Sequence, residues 1–101
     1  MQKYKLHALT RQDLKNIIAY YENEMPGLGR AFYADFKKTV ELICSHPRMG
    51  VAKEHGIRKF SLRRFRYDLF YFVKDDQVYV GGVLHQHRDP AVMRKRFEDL
   101  T

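Results

Sequence analysis

Two stretches with helical spacing of apolar residues, separated by a Pro-Gly pair, constrain the fold of this chain more than any other feature. The pair is Pro26 and Gly27, which break the pattern. The apolar stripes on either side are Leu14, Ile17, Ile18, Tyr21 and Met25, then Phe32, Phe36, Val40 and Ile43. We therefore predict helices over about residues 11–25 and 28–46. Because a short loop joins them, the two helices must form an antiparallel hairpin. Its apolar faces must be buried against another part of the chain.

A short strand is predicted ahead of this hairpin. Residues 3–9 alternate polar with apolar side chains, as a half-buried strand would. Thr10 is followed three residues later by Asp13, an approximate capping box. We therefore expect the first helix to begin near Arg11.

After residue 56 the pattern changes from helical spacing to the alternation typical of strands. One strand is predicted over residues 57–63, and the next carries Phe65, Tyr67, Leu69, Tyr71 and Val73 on one face. Asp75 and Asp76 should form a tight turn into a strand over residues 77–85, with Gly81 and Gly82 as a bulge. That strand would place Val78, Val80 and Leu84 on one face and Tyr79, Val83 and His85 on the other.

A short basic helix should close the chain. Pro90, after Asp89, suits a helix start, and the inner side would carry Val92, Met93, Phe97 and Leu100. The predicted fold class is α+β, in which an N-terminal strand and a helical hairpin pack on a small antiparallel sheet. At 101 residues the chain has room for one domain with one modest core.

The composition bears on the cellular compartment of the protein and on whether it can hold a disulfide or a metal ion. No apolar run approaches the ~20 residues needed to cross a bilayer, and no signal-peptide stretch follows the N-terminus. We therefore expect a cytoplasmic protein without a membrane segment. The single cysteine, Cys44, cannot form an internal disulfide and has no second thiol for a zinc cluster. We expect neither a cofactor nor a metal.

The charge indicates a partner. The net charge is +7 with a pI near 9.7, and the basic residues concentrate in segments 58–66 and 88–96. Such a basic patch attracts an acidic protein, a nucleic acid or an anionic membrane. Charge alone does not choose among these partners.

Several segments, in order, resemble the ParE branch of the ParE/RelE superfamily of bacterial toxins. The stretch from Ala8 to Ile17 resembles the opening of the family, and Ile43, Pro47 and Gly50 resemble the motif that closes the second helix. The later segments that resemble the family are Ile57 to Phe65, Tyr67 to Tyr71, and Val83 to Pro90, the last being similar to a "V.H..RDP" ending.

This resemblance implies the toxin of a type II toxin–antitoxin system. It implies inhibition of DNA gyrase by binding, and neutralisation by a small ParD-like antitoxin whose acidic segment wraps the toxin in a hetero-oligomer. The side chains that we expect to contact the antitoxin or the target are Arg58, Arg63, Arg64, Arg66, His85 and Arg88.

The same superfamily offers an enzymatic alternative, because RelE-like toxins are ribosome-dependent ribonucleases that cut mRNA without a metal. Such cleavage needs a base, an acid and a cation for the phosphate. His85 or His87 could act as acid or base, and Arg63 or Arg88 could hold the phosphate. RelE-type enzymes commonly carry a catalytic tyrosine or histidine on or just after the last strand. Here no tyrosine follows Arg88, although His87 could replace it.

These groups also have structural interpretations. The two histidines have no third ligand at metal-binding spacing, and Arg63, Arg64 and Arg66 could line a solvated strand edge. The aromatic set favours core packing over base stacking; it comprises Phe65, Tyr67, Phe70, Tyr71 and Phe72. A non-toxic nucleic-acid-binding module remains a third alternative, and direct nucleic-acid binding is left open.

Overall fold

A computed structural model describes residues 4–98 as three helices and one five-stranded mixed sheet. The helices are α1 (Ala8–Glu24), α2 (Leu28–Ser45) and α3 (Ala91–Glu98). The strands are β1 (Tyr4–Leu6), β2 (Val51–Ala52), β3 (Arg58–Ser61), β4 (Tyr67–Lys74) and β5 (Gln77–His85), with a 3-10 turn at Glu54–Gly56. The α+β class is confirmed. Within the described residues, no helix is long and apolar enough to cross a membrane.

The helical hairpin forms as predicted and covers one face of the sheet. The stripe of α2 is buried at Phe32, Phe36, Val40 and Ile43. Gly27 adopts a left-handed conformation with φ 90°, which reverses the chain between the helices. The carboxylate of Glu22 accepts hydrogen bonds from the main-chain N–H groups of Gly27, Gly29 and Arg30, at 3.1, 2.9 and 3.3 Å. A side chain of α1 therefore caps the start of α2.

The start of α1 differs from the prediction. β1 ends at Leu6, and α1 already begins at Ala8, so the predicted strand over residues 3–9 is too long. The imidazole Nδ1 of His7 caps the helix by accepting from the N–H of Leu9 at 3.0 Å. Thr10 is fully buried and donates its hydroxyl hydrogen to the carbonyl of Val80 at 3.1 Å. The predicted capping box at Thr10 is wrong, because this side chain faces the sheet.

The sheet has the order β1-β5-β4-β3-β2. The antiparallel meander of β3, β4 and β5 is confirmed, whereas β1 pairs in parallel with β5, with Tyr4 opposite Val78. Asp75 and Asp76 form the predicted turn, both with positive φ. The two-residue β2 was not predicted, and β3 is shorter than the predicted strand over residues 57–63.

A bulge at Gly81 changes which residues of β5 face the hairpin. Phe70 pairs with Gly82 while Tyr71 pairs with Val80, so Gly81 is the extra residue. One extra residue reverses the alternation beyond it. Val83 therefore joins Val78 and Val80 in the core under the hairpin, and Leu84 faces the other side. The bulge is confirmed, but the predicted faces of Val83, Leu84 and His85 are wrong.

Helix α3 packs on the second face of the sheet, over β5. Met93 and Phe97 are its buried residues, and a Cβ atom at Gly82 or Gly81 would collide with them. The two glycines therefore let α3 approach the strand closely. Val92, predicted to face inward, is 43% exposed, and Leu100 lies outside the described residues.

Candidate functional site

The candidate site begins at the loop of residues 62–66 between β3 and β4, called here the arginine loop. Arg63, Arg64 and Arg66 are exposed on it. They do not lie on the predicted strand edge, because β3 ends at Ser61. The loop is closed by main-chain hydrogen bonds, from the N–H of Leu62 to the carbonyl of Tyr67 at 3.0 Å and from the N–H of Tyr67 to the carbonyl of Phe65 at 2.8 Å. It is therefore a tight turn whose backbone is held by hydrogen bonds.

Phe65 anchors the arginine loop to the helical hairpin. Its ring centroid lies 5.0 Å from that of Tyr21 and 5.2 Å from that of Phe32. The N–H of Arg64 also faces a carboxylate oxygen of Asp35 at 3.5 Å. Because Phe65 points into the aromatic core, its arginine neighbours are directed to solvent.

The three guanidinium groups of the loop form no ion pair within the described part of the chain. Within residues 4–98, the ion pairs involve other cations, Lys59, Arg94 and Arg96. The side chains of Arg63, Arg64 and Arg66 also make no hydrogen bond to that part of the chain. Three exposed guanidinium groups on one anchored loop form a ready contact for carboxylate or phosphate oxygens.

Arg58, predicted as part of the same binding set, has internal partners instead. It is partly buried on β3 and donates to the carbonyls of Gly50 at 2.8 Å and Arg48 at 3.2 Å. The N–H of Gly50 donates to the hydroxyl of Tyr71 at 3.0 Å, and that hydroxyl donates to the carbonyl of Pro47 at 2.6 Å. Burial raises the pKa of Tyr71. Arg58 thus holds the segment that follows α2 against the sheet.

The turn after β5 lies beside the arginine loop. The N–H of Gln86 donates to the carbonyl of Arg66 at 3.0 Å, which ties the two segments together. His85 is partly buried, whereas His87 and Arg88 are exposed. We call Arg63, Arg64, Arg66, His85, His87 and Arg88 the basic end of the molecule. It contains every residue of the predicted binding set except Arg58.

The hydrogen bonding of His85 defines which nitrogen is free. Nδ1 of His85 accepts from the N–H of His87 at 3.1 Å, and the two rings stack with centroids 5.1 Å apart. The ring of Tyr67 contacts His85 edge-on at 5.0 Å. A nitrogen that accepts a hydrogen bond carries no proton, so neutral His85 is protonated at Nε2.

Three of the four residues predicted for ribonuclease chemistry share one groove. His85, His87 and Arg88 line a groove of about 300 Å³, together with Asp13, Asn16 and Arg96. Arg63 is not among its lining residues. The carboxylate of Asp13 is already bound by Arg96. Among the described residues, no group of three or more His, Cys, Asp or Glu side chains could hold a metal ion.

A second groove, on the α3 side of the sheet, was not predicted. It measures about 590 Å³ and runs between the 3-10 turn and α3, over Ile57, Lys59 and Phe70. Beside it, Asp68 is buried and accepts from the hydroxyl of Ser61 at 2.6 Å. This groove forms where a 3-10 turn packs in the tertiary structure. Such a turn has no periodic sequence pattern, so the groove could not be predicted from the sequence.

The comparisons with known proteins agree with this geometry. The model of a family described as the ParE toxin of the type II toxin–antitoxin system, parDE, matches residues 4–90. A chain of the chromosomal ParDE toxin–antitoxin system from P. aeruginosa is similar with a TM-score of 0.74 at 18% identity, covering 84% of this chain and 96% of that one.

A second solved structure, the isolated E. coli RelE toxin, is similar with a TM-score of 0.65 at 18% identity. The match covers 100% of both chains. Among curated proteins, none gives a significant match. At 18% identity, the two structural likenesses show a shared fold.

Proposed function

The chain belongs to the ParE family of toxins from type II toxin–antitoxin systems, and from that premise we propose that it inhibits DNA gyrase by binding and is neutralised by a cognate ParD-like antitoxin. The P. aeruginosa neighbour is described as a ParDE system, which supports an antitoxin partner in a hetero-oligomer. Gyrase works in the cytoplasm, so the proposal places the toxin there.

The observation that carries the proposal is the exposed positive charge of the arginine loop. Within residues 4–98, the guanidinium groups of Arg63, Arg64 and Arg66 form no ion pair, and the loop that bears them is anchored by Phe65. An anchored loop loses little conformational freedom when a partner binds. Unpaired guanidinium groups also accelerate the encounter with an acidic surface.

Inhibition by binding requires no chemistry from the toxin. The basic end has to occupy a surface of gyrase that the enzyme needs during its cycle. An antitoxin that covers the same arginines would then prevent the contact with gyrase. The proposal therefore predicts competition between antitoxin and gyrase for the toxin.

The test is a supercoiling assay with purified DNA gyrase and the purified chain. The test variant carries Arg63→Gln, Arg64→Gln and Arg66→Gln. The control variant removes the same charge at exposed lysines elsewhere, with Lys15→Gln, Lys38→Gln and Lys74→Gln. We expect wild-type inhibition that the antitoxin relieves, and at least a tenfold higher half-inhibitory concentration for the arginine variant alone, because each lost charge-assisted contact contributes about 1.5–3 kcal/mol.

Two results would contradict the proposal. One is the absence of inhibition and of trapped cleaved DNA at high toxin excess. The other is equal loss of inhibition in the arginine and lysine variants, which would indicate an effect of net charge alone.

One observation favours the RelE-like ribonuclease as a second candidate function. His85, His87 and Arg88 line the same groove, so an acid, a base and a cation lie together. Because Nδ1 of His85 accepts a hydrogen bond, His87 would serve as the base, and His85 would serve as the acid in its imidazolium form, which gives up that hydrogen bond. Primer extension on an mRNA translated by purified ribosomes tests this candidate. Cleavage by the wild type that His85→Ala and His87→Ala both abolish would favour it over gyrase inhibition.

A further inference from the structure

The basic end is built from two segments that are distant in the sequence. The arginine loop follows β3, whereas the other segment is the turn after β5. The last pair of the ladder between β4 and β5 joins Tyr67 to His85. Beyond that pair, the N–H of Gln86 donates to the carbonyl of Arg66 at 3.0 Å. The relative position of the two segments therefore depends on how firmly the turn after β5 is held.

A buried carboxylate, that of Asp68, lies behind both segments. Asp68 is 8% exposed, and strand alternation places it on the same face of β4 as Phe70. Its Oδ1 atom accepts from the hydroxyl of Ser61, the last residue of β3, at 2.6 Å and from Nε2 of Gln86 at 3.3 Å. Its Oδ2 atom lies 3.8 Å from Nζ of Lys59. One carboxylate thus joins the ends of β3 and β4 to the turn after β5.

Stability alone would not favour a carboxylate at this position. Removing a charge from water costs free energy, and an ion pair at 3.8 Å with the partly exposed Lys59 recovers only part of it. Phe70 and Leu84 lie on the same face of the sheet, so an apolar β-branched residue would suit these surroundings. Ser61 and Gln86 are exposed, so water would satisfy both in the absence of the carboxylate. These contacts indicate a role in arrangement rather than in stability.

We propose that Asp68 is a positioning residue of the basic end. By binding Ser61 and Gln86 through one oxygen atom, it holds the arginine loop and the turn after β5 in the relative position that gyrase recognises. Asp68 is buried and acts through Gln86, whose neighbours His87 and Arg88 are exposed. The inference rests on the proposed function for the identity of the target.

Loss of the carboxylate should therefore weaken binding without weakening the fold. A surface made of two segments binds best when their relative position is already fixed, because ordering them on contact costs conformational entropy. Asp68→Val replaces the carboxylate with an apolar side chain that favours strands. We expect a Tm that is higher than that of the wild type or within about 2 °C of it, together with weaker inhibition of gyrase. A residue required only for stability would lower the Tm instead.

The first measurement is amide hydrogen exchange by NMR on the complete chain. The N–H of Gln86 donates to the carbonyl of Arg66, so its exchange reports on the junction of the two segments. We expect Asp68→Val and Gln86→Ala each to accelerate exchange at residues 86–88 about threefold or more, with unchanged exchange in α2.

The second measurement is the supercoiling assay with the same variants. We expect Asp68→Val and Gln86→Ala each to raise the half-inhibitory concentration about fivefold or more, because the basic end is no longer ordered before it binds. The double variant should be no weaker than the weaker single variant, since both changes remove the same hydrogen bond. A direct contact between Gln86 and gyrase would instead make the two effects multiply, which would contradict action through Asp68.

Two control variants match these changes. Gln77→Ala removes the same type of side chain at the other end of β5, where the amide donates to the carbonyl of Val78 at 3.4 Å. It should behave like the wild type in both measurements. Ser61→Ala removes the second hydrogen bond to Asp68 and should weaken inhibition, whereas Ser61→Thr keeps the hydroxyl and should restore it.

Three results would overturn the inference. One is unchanged exchange at residues 86–88 in Asp68→Val, whether or not the chain inhibits gyrase. Another is faster exchange with unchanged inhibition, and the third is a Tm of Asp68→Val lowered by more than about 5 °C. If the wild type does not inhibit gyrase but exchange in Asp68→Val is accelerated as expected, the proposed function fails and the positioning role of Asp68 stands.

Discussion

The guanidinium group of Arg96 donates hydrogen bonds to the carboxylate of Asp13, which joins α3 to α1 across 83 residues of sequence. Arg96 also donates to the carbonyl of Gly81 at 3.2 Å. The side chains of the pair are only 13% and 21% exposed, so solvent screens the interaction weakly. The pair fixes α3 beside the bulge of β5.

Removing the charge of Asp13 should loosen α3. We expect Asp13→Asn to destabilise the docked helix by about 1.5–3 kcal/mol, because Arg96 loses a charge-assisted partner. Amide hydrogen exchange should accelerate from Val92 to Phe97 more than in β4. The control, Asp76→Asn, removes the same charge at a turn with positive φ that asparagine tolerates. Uniform acceleration over the whole chain would contradict a local role.

A methyl group at Gly81 should also disturb this helix. The Cβ atom of Gly81→Ala would collide with the ring of Phe97, and overpacking of this kind costs about 1–3 kcal/mol. Thermal unfolding should show a Tm lower by several degrees, at about 4–8 °C for each kcal/mol. The double variant Gly81→Ala, Phe97→Leu should recover part of the loss. Strictly additive effects would show that the ring is not the obstacle.

Substitutions at two arginines of the predicted binding set should affect the stability of the fold differently. Arg58→Gln removes the hydrogen bonds to the carbonyls of Gly50 and Arg48, and we expect it to lower the free energy of unfolding by about 1–3 kcal/mol. Arg64→Gln removes no side-chain contact within the described residues, so it should change the free energy of unfolding by less than about 0.5 kcal/mol. Urea unfolding at pH 7 measures both. A similar loss in the two variants would refute the structural role of Arg58.

Glu22 should make stability depend on pH in the acid range. Hydrogen bonds from the N–H groups of Gly27 first, and then of Arg30 and Gly29, lower the pKa of Glu22 in the folded chain. A carboxyl whose pKa is lowered by folding stabilises the fold above its unfolded pKa of about 4.3, and this contribution disappears as the pH falls through the folded value.

The Tm difference between the wild type and Glu22→Gln should therefore be largest near neutral pH and shrink as the pH falls below about 4. The control is Glu24→Gln, which neutralises an exposed carboxylate near the end of α1 that caps no helix. A difference between wild type and Glu22→Gln that stays constant down to pH 3 would exclude the capping role of the charge.

Much of the architecture followed from local patterns. The α2 stripe has unambiguous helical spacing, and the turn at Asp75 and Asp76 sets the ends of β4 and β5. The sequence pattern also indicated the bulge at the glycines. It did not show which glycine is the extra residue, because that depends on pairing with β4. The predictions of which sheet face Val83 and Leu84 occupy were therefore both wrong.

The candidate site was predictable only in part. The basic segments of the sequence located the arginine loop and the turn after β5. The sequence does not distinguish an arginine that binds a partner from one that binds a nearby carbonyl group. Arg58 differs from Arg64 because the segment after α2 brings the Gly50 carbonyl within 2.8 Å.

The parallel pairing of β1 with β5 has a consequence for synthesis of the toxin. β1 can pair only after residues 78–80 of β5 have been synthesised. The edge of the sheet that β1 forms therefore cannot assemble while the ribosome is still producing the segments between them. The hairpin of α1 and α2 can form meanwhile from local contacts alone. Native structure at this edge of the sheet therefore arises late in translation, after β5 has been synthesised.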